Sequence, residues 1–126
     1  KNFIVQEFID GTEYTVDCLF DKNGKLIFSL PRERLLAQNV SIIGKTIKNK
    51  KINNFIELIS SKLNFYGPIN VQIIIRKNQL YLIEINPRLS GSIIFSIKSN
   101  FDPIKTLFII QKIKKYKIFY TICKIL

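Results

Sequence analysis

An α+β fold, an antiparallel β-sheet backed by helices, follows from three features of the sequence. Residues 13–30 and 69–85 each hold two β-prone runs around a turn-forming cluster, the pattern of a hairpin. Between them, apolar residues recur at helical spacing from Ile52 to Leu63. The 126 residues are 47% hydrophobic, enough apolar matter for one core, and too few in number for two domains of ordinary size.

Taken in order, the run from Phe3 to Ile9 is apolar and β-prone, and Asp10-Gly11 supplies a turn. From Glu13 the alternation is clean. Tyr14, Val16, Cys18 and Phe20 point one way; Glu13, Thr15 and Asp17 point the other. Asp21-Lys22-Asn23-Gly24 makes the turn, and the return strand from Lys25 to Leu30 is expected to close at Pro31. Residues 35–50 show no firm period and read as a mobile connection containing Gly44 and several lysines. Ile52, Phe55, Ile56, Ile59 and Leu63 then form the apolar stripe of an amphipathic helix, expected to end at Gly67-Pro68.

The second hairpin joins strands 69–75 and 80–85 through Lys77-Asn78-Gln79. Asp102-Pro103, with Ile104, Leu107, Phe108 and Ile110 behind it, reads as a helix entry. Residues 1–111 are taken as one structural unit and 112–126 as a basic, apolar tail left unassigned. The chain starts with Lys, contains no Met and opens inside what reads as a strand, so a fragment of a longer polypeptide is expected.

Composition excludes several functions. No apolar run approaches the roughly 18 residues a membrane helix needs, and the first ten residues lack the layout of a secretory signal. Two distant cysteines, Cys18 and Cys123, fit reduced thiols in a cytoplasmic protein better than a disulfide framework. With no His, zinc sites of the usual kind and His-based acid–base chemistry are excluded. The net charge of +11 raises nucleic acid or an anionic surface as partner. The excess is 16 Lys against 4 Arg and accompanies 25 Ile and 11 Asn, a bias that AT-rich codons alone produce, so a nucleic-acid partner is disfavoured.

The chemistry lies in the second hairpin. Asn70 and Gln72 share one face of the first strand, and Glu84 and Asn86 share a face opposite Tyr81, Ile83 and Ile85 on the second. With a three-residue loop, Gln72 faces Glu84, Asn70 faces Asn86, Ile74 faces Leu82 and Arg76 faces Leu80. A two-residue loop would put Gln72 opposite Ile83 on the apolar side. One carboxylate beside amide oxygens is a hard-oxygen set suited to magnesium, which takes few protein ligands and completes its shell with phosphate and water. Arg88, held past Pro87, is placed to fork onto a phosphate or carboxylate. An exposed strand face with an ordinary Glu–Arg pair is the other reading of the same spacing.

Glu84-Ile85-Asn86-Pro87-Arg88, preceded by Asn70-Val71-Gln72 and by the run from Gln6 to Tyr14, resembles the C-terminal part of an ATP-grasp domain. The likeness is to the carbamoyl-phosphate synthase large subunit and related amino-acid ligases, and spans about residues 3–110. The resemblance implies the second lobe of a two-lobed nucleotide clamp, with the first lobe missing from this chain. It implies ATP and Mg2+ (or Mn2+) as cofactors and a small carboxylate, or bicarbonate, as substrate, activated as an acylphosphate for attack by an amine or other nucleophile. Glu7, Phe8 and Ile9 resemble the hinge that receives adenine and ribose, and Glu13 a second acidic contact to the nucleotide. Gln72, Glu84 and Asn86 resemble the metal ligands, and Arg88 the residue that steadies the transferred phosphate. Substrate contacts are expected between Arg32 and Lys45, with Arg32, Arg34 and Lys45 as candidates. Two other functions stay open: a basic module for nucleic acid or an anionic surface, marked by steeply salt-dependent oligonucleotide binding, and a degenerate, non-catalytic remnant of the fold.

Overall fold

The computed structural model describes residues 3–38 and 40–112. It contains five strands, β1 (Thr12–Phe20), β2 (Leu26–Gln38), β3 (Val40–Thr46), β4 (Gly67–Arg76) and β5 (Gln79–Asn86). The described helices are α1 (Lys50–Ser60), α2 (Ile94–Lys98) and α3 (Pro103–Lys112). All pairings are antiparallel, in the order β3-β2-β1-β4-β5, so the predicted α+β class holds. No helix among the described residues is long and apolar enough to cross a membrane.

The alternation in β1 sorts the two faces of the sheet. Val16, Cys18 and Phe20 join Ile69, Val71 and Ile73 of β4 in one core, closed by Ile52 and Ile56 of α1. Burial of these side chains is the main stabilising term on this face. Phe65 packs its ring on Phe20, with centroids 5.1 Å apart. Ser29 Oγ of β2 donates to Asn53 Oδ1 of α1 at 3.0 Å, fixing the helix under that strand. The opposite face carries Thr15, Asp17, Arg32 and Asn70, all buried, beneath the segment that leads into α2.

Five sequence expectations are corrected. Residues 3–10 form no strand, and Phe3, Ile4, Val5 and Phe8 stand exposed. Both edges of the adjoining β1 are already taken by β2 and β4, so the run cannot pair with the strand it leads into.

The return strand does not close at Pro31 but runs on to Gln38. Pro31 sits opposite Val16, and its carbonyl accepts from Ile47 N at 3.0 Å on the side away from β1. In an antiparallel ladder the nitrogen of a residue points the same way as its carbonyl. The missing N–H therefore falls on the outer side, just past the last β2–β3 pair, Arg32 with Thr46, and costs the β1 pairing nothing.

Residues 35–50 are not a loose connection, because β2 and β3 make a third hairpin there. Register shifts between Arg34 and Leu36 and between Leu36 and Ala37 scramble the alternation that would have revealed it. Gly44 is needed in β3 because a Cβ there would lie 2.9 Å from the Arg32 Cδ.

Helix α1 starts at a cap the sequence reading did not use. Asn49 Oδ1 accepts from the backbone N–H of Lys51 and Ile52. It ends at Ser60, well before Gly67. Ser60 and Ser61 turn their hydroxyls back onto the carbonyls of Glu57 and Leu58, and Gly67, with φ of 75°, opens β4 instead.

The second hairpin turns on two residues, Lys77 and Asn78, with φ of 45° and 67°, and not on three. Arg76 thus faces Gln79 and Ile74 faces Tyr81, which brings Tyr81 to the Gln72 side of the sheet. A bulge at Ile83, between the pairs Ile73–Leu82 and Gln72–Glu84, then restores the expected register for Gln72 and Asn70. The helix entry at Asp102 holds: its Oδ1 accepts from Lys105 N at 3.0 Å. The tail assigned to 112–126 lies, from residue 113 on, outside the described residues.

Candidate functional site

The β4–β5 register places Gln72 opposite Glu84 and Asn70 opposite Asn86. Glu84 Oε1 is the meeting point: Gln72 Nε2 donates to it, and Asn86 Nδ2 donates to it at 2.7 Å. Three of the predicted site residues are therefore one hydrogen-bonded group. Glu84 is exposed, while Gln72 and Asn86 are half-buried, so the carboxylate is solvated and the amides are held.

The group extends across β1 to β2. Arg34 Nη1 donates to Gln72 Oε1 at 3.1 Å and pairs with Glu13 Oε2, also at 3.1 Å. Glu13 thus joins the cluster through a guanidinium and not directly. A recess of about 130 Å³ opens here between Glu13, Arg34, Gln72, Ile74 and the bulged Ile83, polar on one side and apolar on the other. Tyr14 also borders it, and partial burial, with the Glu33 carboxylate adding to it, raises the pKa of its phenol.

Arg88 lies exposed two residues beyond Asn86, its Nη1 donating to Leu89 O at 2.9 Å. It borders a second recess together with Gln72, on the other side of that residue from the first. Glu7, Phe8 and Ile9 line neither recess, and no hydrogen bond joins them to the cluster. Of the three substrate-contact candidates, Arg34 enters the site, Arg32 is buried against Asp17 and Ser92, and Lys45 is exposed on β3.

Beside the cluster, on the same face of the sheet, lies a buried network that the sequence reading missed. Asp17 Oδ2 accepts from Arg32 Nη1 at 3.0 Å and Ser96 Oγ at 2.5 Å, and Asp17 Oδ1 accepts from Asn70 Nδ2 at 3.2 Å. Arg32 Nη2 donates to Ser92 Oγ at 2.7 Å, and the guanidinium lies 5.1 Å from the centre of the Phe95 ring. Both charged side chains are almost wholly removed from water. The network ties β1, β2 and β4 to the segment after Arg88, so the two arms of the site cannot drift independently. Asp17 on the polar side of β1 was the one available signal. Its partners lie 15 to 79 residues away and carry no local pattern.

The donor set fits a magnesium ion that brings its own oxygens. Glu84 offers a carboxylate, and the Asn86 amide, turned about its terminal C–C bond, presents oxygen in place of N–H, while Gln72 does the same only on giving up its bond from Arg34 Nη1. No three His, Cys, Asp or Glu side chains gather among the described residues, so a cation here would rely on phosphate and water for the rest of its shell. That is the usual state of Mg2+ carried by a nucleotide.

Over 106 residues the chain is 30% identical to the tyramine–L-glutamate ligase of Methanocaldococcus jannaschii, covering 79% of this chain and 33% of that protein. It is 28% identical over 116 residues to the carbamoyl phosphate synthase large chain of Thermoanaerobacter, covering 85% of this chain and 11% of that one. It is 34% identical over 77 residues to the carbamoyl phosphate synthase large chain of Saccharolobus solfataricus, covering 61% and 6%. The chain thus spans a third or less of these relatives. Residues 1–116 match the family described as ATP-grasp in the biosynthetic pathway with Ter operon, and the chain belongs to that ATP-grasp family.

Proposed function

We propose that this chain is the nucleotide- and metal-holding lobe of an ATP-dependent ligase that activates a carboxylate and joins it to an amine. The observation that carries the reading is the Gln72–Glu84–Asn86 group, flanked by Arg88 and backed by Arg34. Gln72, Glu84 and Asn86 would hold Mg2+ or Mn2+, which supplies charge neutralisation along the ATP phosphates when bound. Glu13 faces the mixed recess with Ile74 and Ile83, suited to the polar and apolar edges of a nucleoside. Glu7, Phe8 and Ile9 are assigned to the adenine side; Glu7 and Phe8 are exposed and Ile9 half-buried, which leaves them free to meet it.

In the reaction a substrate carboxylate oxygen attacks the γ-phosphorus of ATP, the bond to the β–γ bridging oxygen breaks, and ADP leaves. The amine nitrogen then attacks the acyl carbon, inorganic phosphate departs with the C–O bond electrons, and the nitrogen loses its proton. Arg88 contributes a fixed positive charge beside the oxygens on which negative charge builds. No protein nucleophile is needed, in keeping with a site made of amides, carboxylates and guanidinium groups. A relative named for joining tyramine to L-glutamate supports an amine nucleophile and a carboxylate acceptor.

The test is Glu84→Ala in the complete polypeptide. Because Glu84 is exposed, the fold should survive, while ADP formation at saturating magnesium falls by two or more orders of magnitude, in the range of about 10²–10³ for loss of one electrostatic stabiliser. A near-normal rate in the folded variant would remove the assignment.

A further inference from the structure

The geometry points to Arg34 as a two-position switch, which closes the cation site when it is empty and leaves it when a divalent cation enters. This role rests on the assignment of Gln72, Glu84 and Asn86 to the metal. Of the two amides, only Gln72 is held at its oxygen: Arg34 Nη1 donates to Oε1 at 3.1 Å while Nε2 donates to Glu84. Among the described residues no hydrogen bond holds Asn86 Oδ1. The Gln72 amide thus lies between a guanidinium and a carboxylate, its oxygen toward the positive group and its N–H toward the negative one. Turning that oxygen to a cation beside Glu84 would set the NH2 against the guanidinium, donor facing donor. Ligation by Gln72 and its bond from Arg34 therefore exclude one another.

A second position for the guanidinium is already prepared. Arg34 and Gln72 each border both recesses and, bonded together, form the partition between them. The recess of about 80 Å³ on the Arg88 side is lined by Ser41 and Ser90, each only 7% exposed. Their hydroxyl oxygens have no partner among the described residues, and neither does the buried Arg34 Nε. Buried polar atoms left unpaired are destabilising, and folded proteins keep few of them. Here two oxygens lack a donor and one guanidinium N–H lacks an acceptor around a single space. Arg34 swung into that space meets both needs.

Charge drives the move. A divalent cation beside Glu84 repels the guanidinium, while Arg88 on the far side is exposed and its charge is solvated. The same move releases Glu13, whose side chain is 52% exposed and is taken up by water. One residue therefore guards both a metal ligand and the acid beside the nucleoside recess, and frees them together.

The experiment is Mn2+ binding to the complete polypeptide without nucleotide, the free ion being counted by electron paramagnetic resonance. Ions bound by the native protein and lost in Glu84→Ala belong to this site. Arg34→Met should tighten them about tenfold, because a hydrogen bond from a charged donor no longer has to break. Removing a positive charge also tightens cation binding, so the change is repeated in Gln72→Met, which has no oxygen to release. There the gain should shrink to about twofold, the share of a solvent-screened charge. Ser41→Ala combined with Ser90→Ala removes the second position and should weaken Mn2+ binding several-fold. Circular dichroism confirms the fold of each variant. In the native protein, labelled in arginine, Mg2+ should shift the Arg34 guanidinium resonance, a readout that needs no variant to fold. Equal tightening in both backgrounds, none in the native background, an indifferent serine variant or a stationary Arg34 resonance at saturating Mg2+ would each overturn the switch and leave the metal assignment standing. Mn2+ binding undiminished in Glu84→Ala removes the metal assignment and the switch with it.

Discussion

Gln72 stands opposite Glu84 across β4 and β5, and Ile83 is the residue that puts it there. The turn has two residues, which by itself would carry Gln72 to Ile83. The bulge absorbs one residue and returns the pairing to Glu84 and, further along, Asn86. The same bulge turns Ile83 toward the recess beside Glu13. One irregularity therefore sets both the polar group and the apolar wall next to it.

The turn itself is under strain at Lys77, a side-chain-bearing residue with φ of 45°. Lys77→Gly should raise the unfolding free energy by roughly 0.5 kcal/mol, relief of the left-handed penalty outweighing the added freedom of the unfolded chain. Asn78 is left in place because Lys51 Nζ binds its side chain and carbonyl. Urea denaturation of the two proteins compares the midpoints.

Asp17→Ala should be the most damaging single change in the sheet. It leaves Arg32, wholly buried, with an uncompensated charge, at a cost of about 3–5 kcal/mol. The double change Asp17→Ala with Arg32→Met removes the stranded charge and should recover much of the loss. Equilibrium unfolding of the single and double variants checks the order.

Cys18 is buried, and desolvation, with the neighbouring Asp17 charge adding to it, raises its thiol pKa far above the ordinary 9.0. The folded state therefore keeps a proton that the unfolded state releases. Its stabilising contribution is complete below pH 9 and declines as the pH climbs from there toward the folded value, by about 1.4 kcal/mol per pH unit. Stability measured against alkaline pH should fall more steeply in the native protein than in Cys18→Ala. Peptide mapping after brief iodoacetamide treatment should find Cys18 unmodified in the folded protein.

Asn49→Ala should cost about 1 kcal/mol, since it strands the two N–H groups of Lys51 and Ile52 at the start of α1. Asn49→Asp should cost less, a carboxylate being a good cap at the positive end of a helix. Thermal unfolding monitored by circular dichroism gives both values.

The sequence made legible whatever was local and periodic. Alternation in β1 found the two faces of the sheet, and the spacing of Gln72, Glu84 and Asn86 found their grouping, although through a three-residue loop that the protein replaces with a tight turn and a bulge. Irregularity hid the rest. Bulges in β2 and β3 concealed the β2–β3 hairpin, and with it the place of Ser41. Burial of Asp17 with Arg32, Ser92 and Ser96 depends on chain segments that meet only after folding. The exposed run from Phe3 to Phe8 has strand-forming residues but leads into β1, whose two edges are already occupied by β2 and β4, a condition that propensity does not register.

Pro31 has a consequence for how the chain crosses the sheet. Ile47 donates to its carbonyl and receives nothing back, since the ring nitrogen has no hydrogen. The outermost strand is released at that point, and by Lys50 the backbone is already helical against the opposite face. A single imino acid thus acts as a terminus for lateral zippering, and the path from margin to underside begins where one proton is lacking.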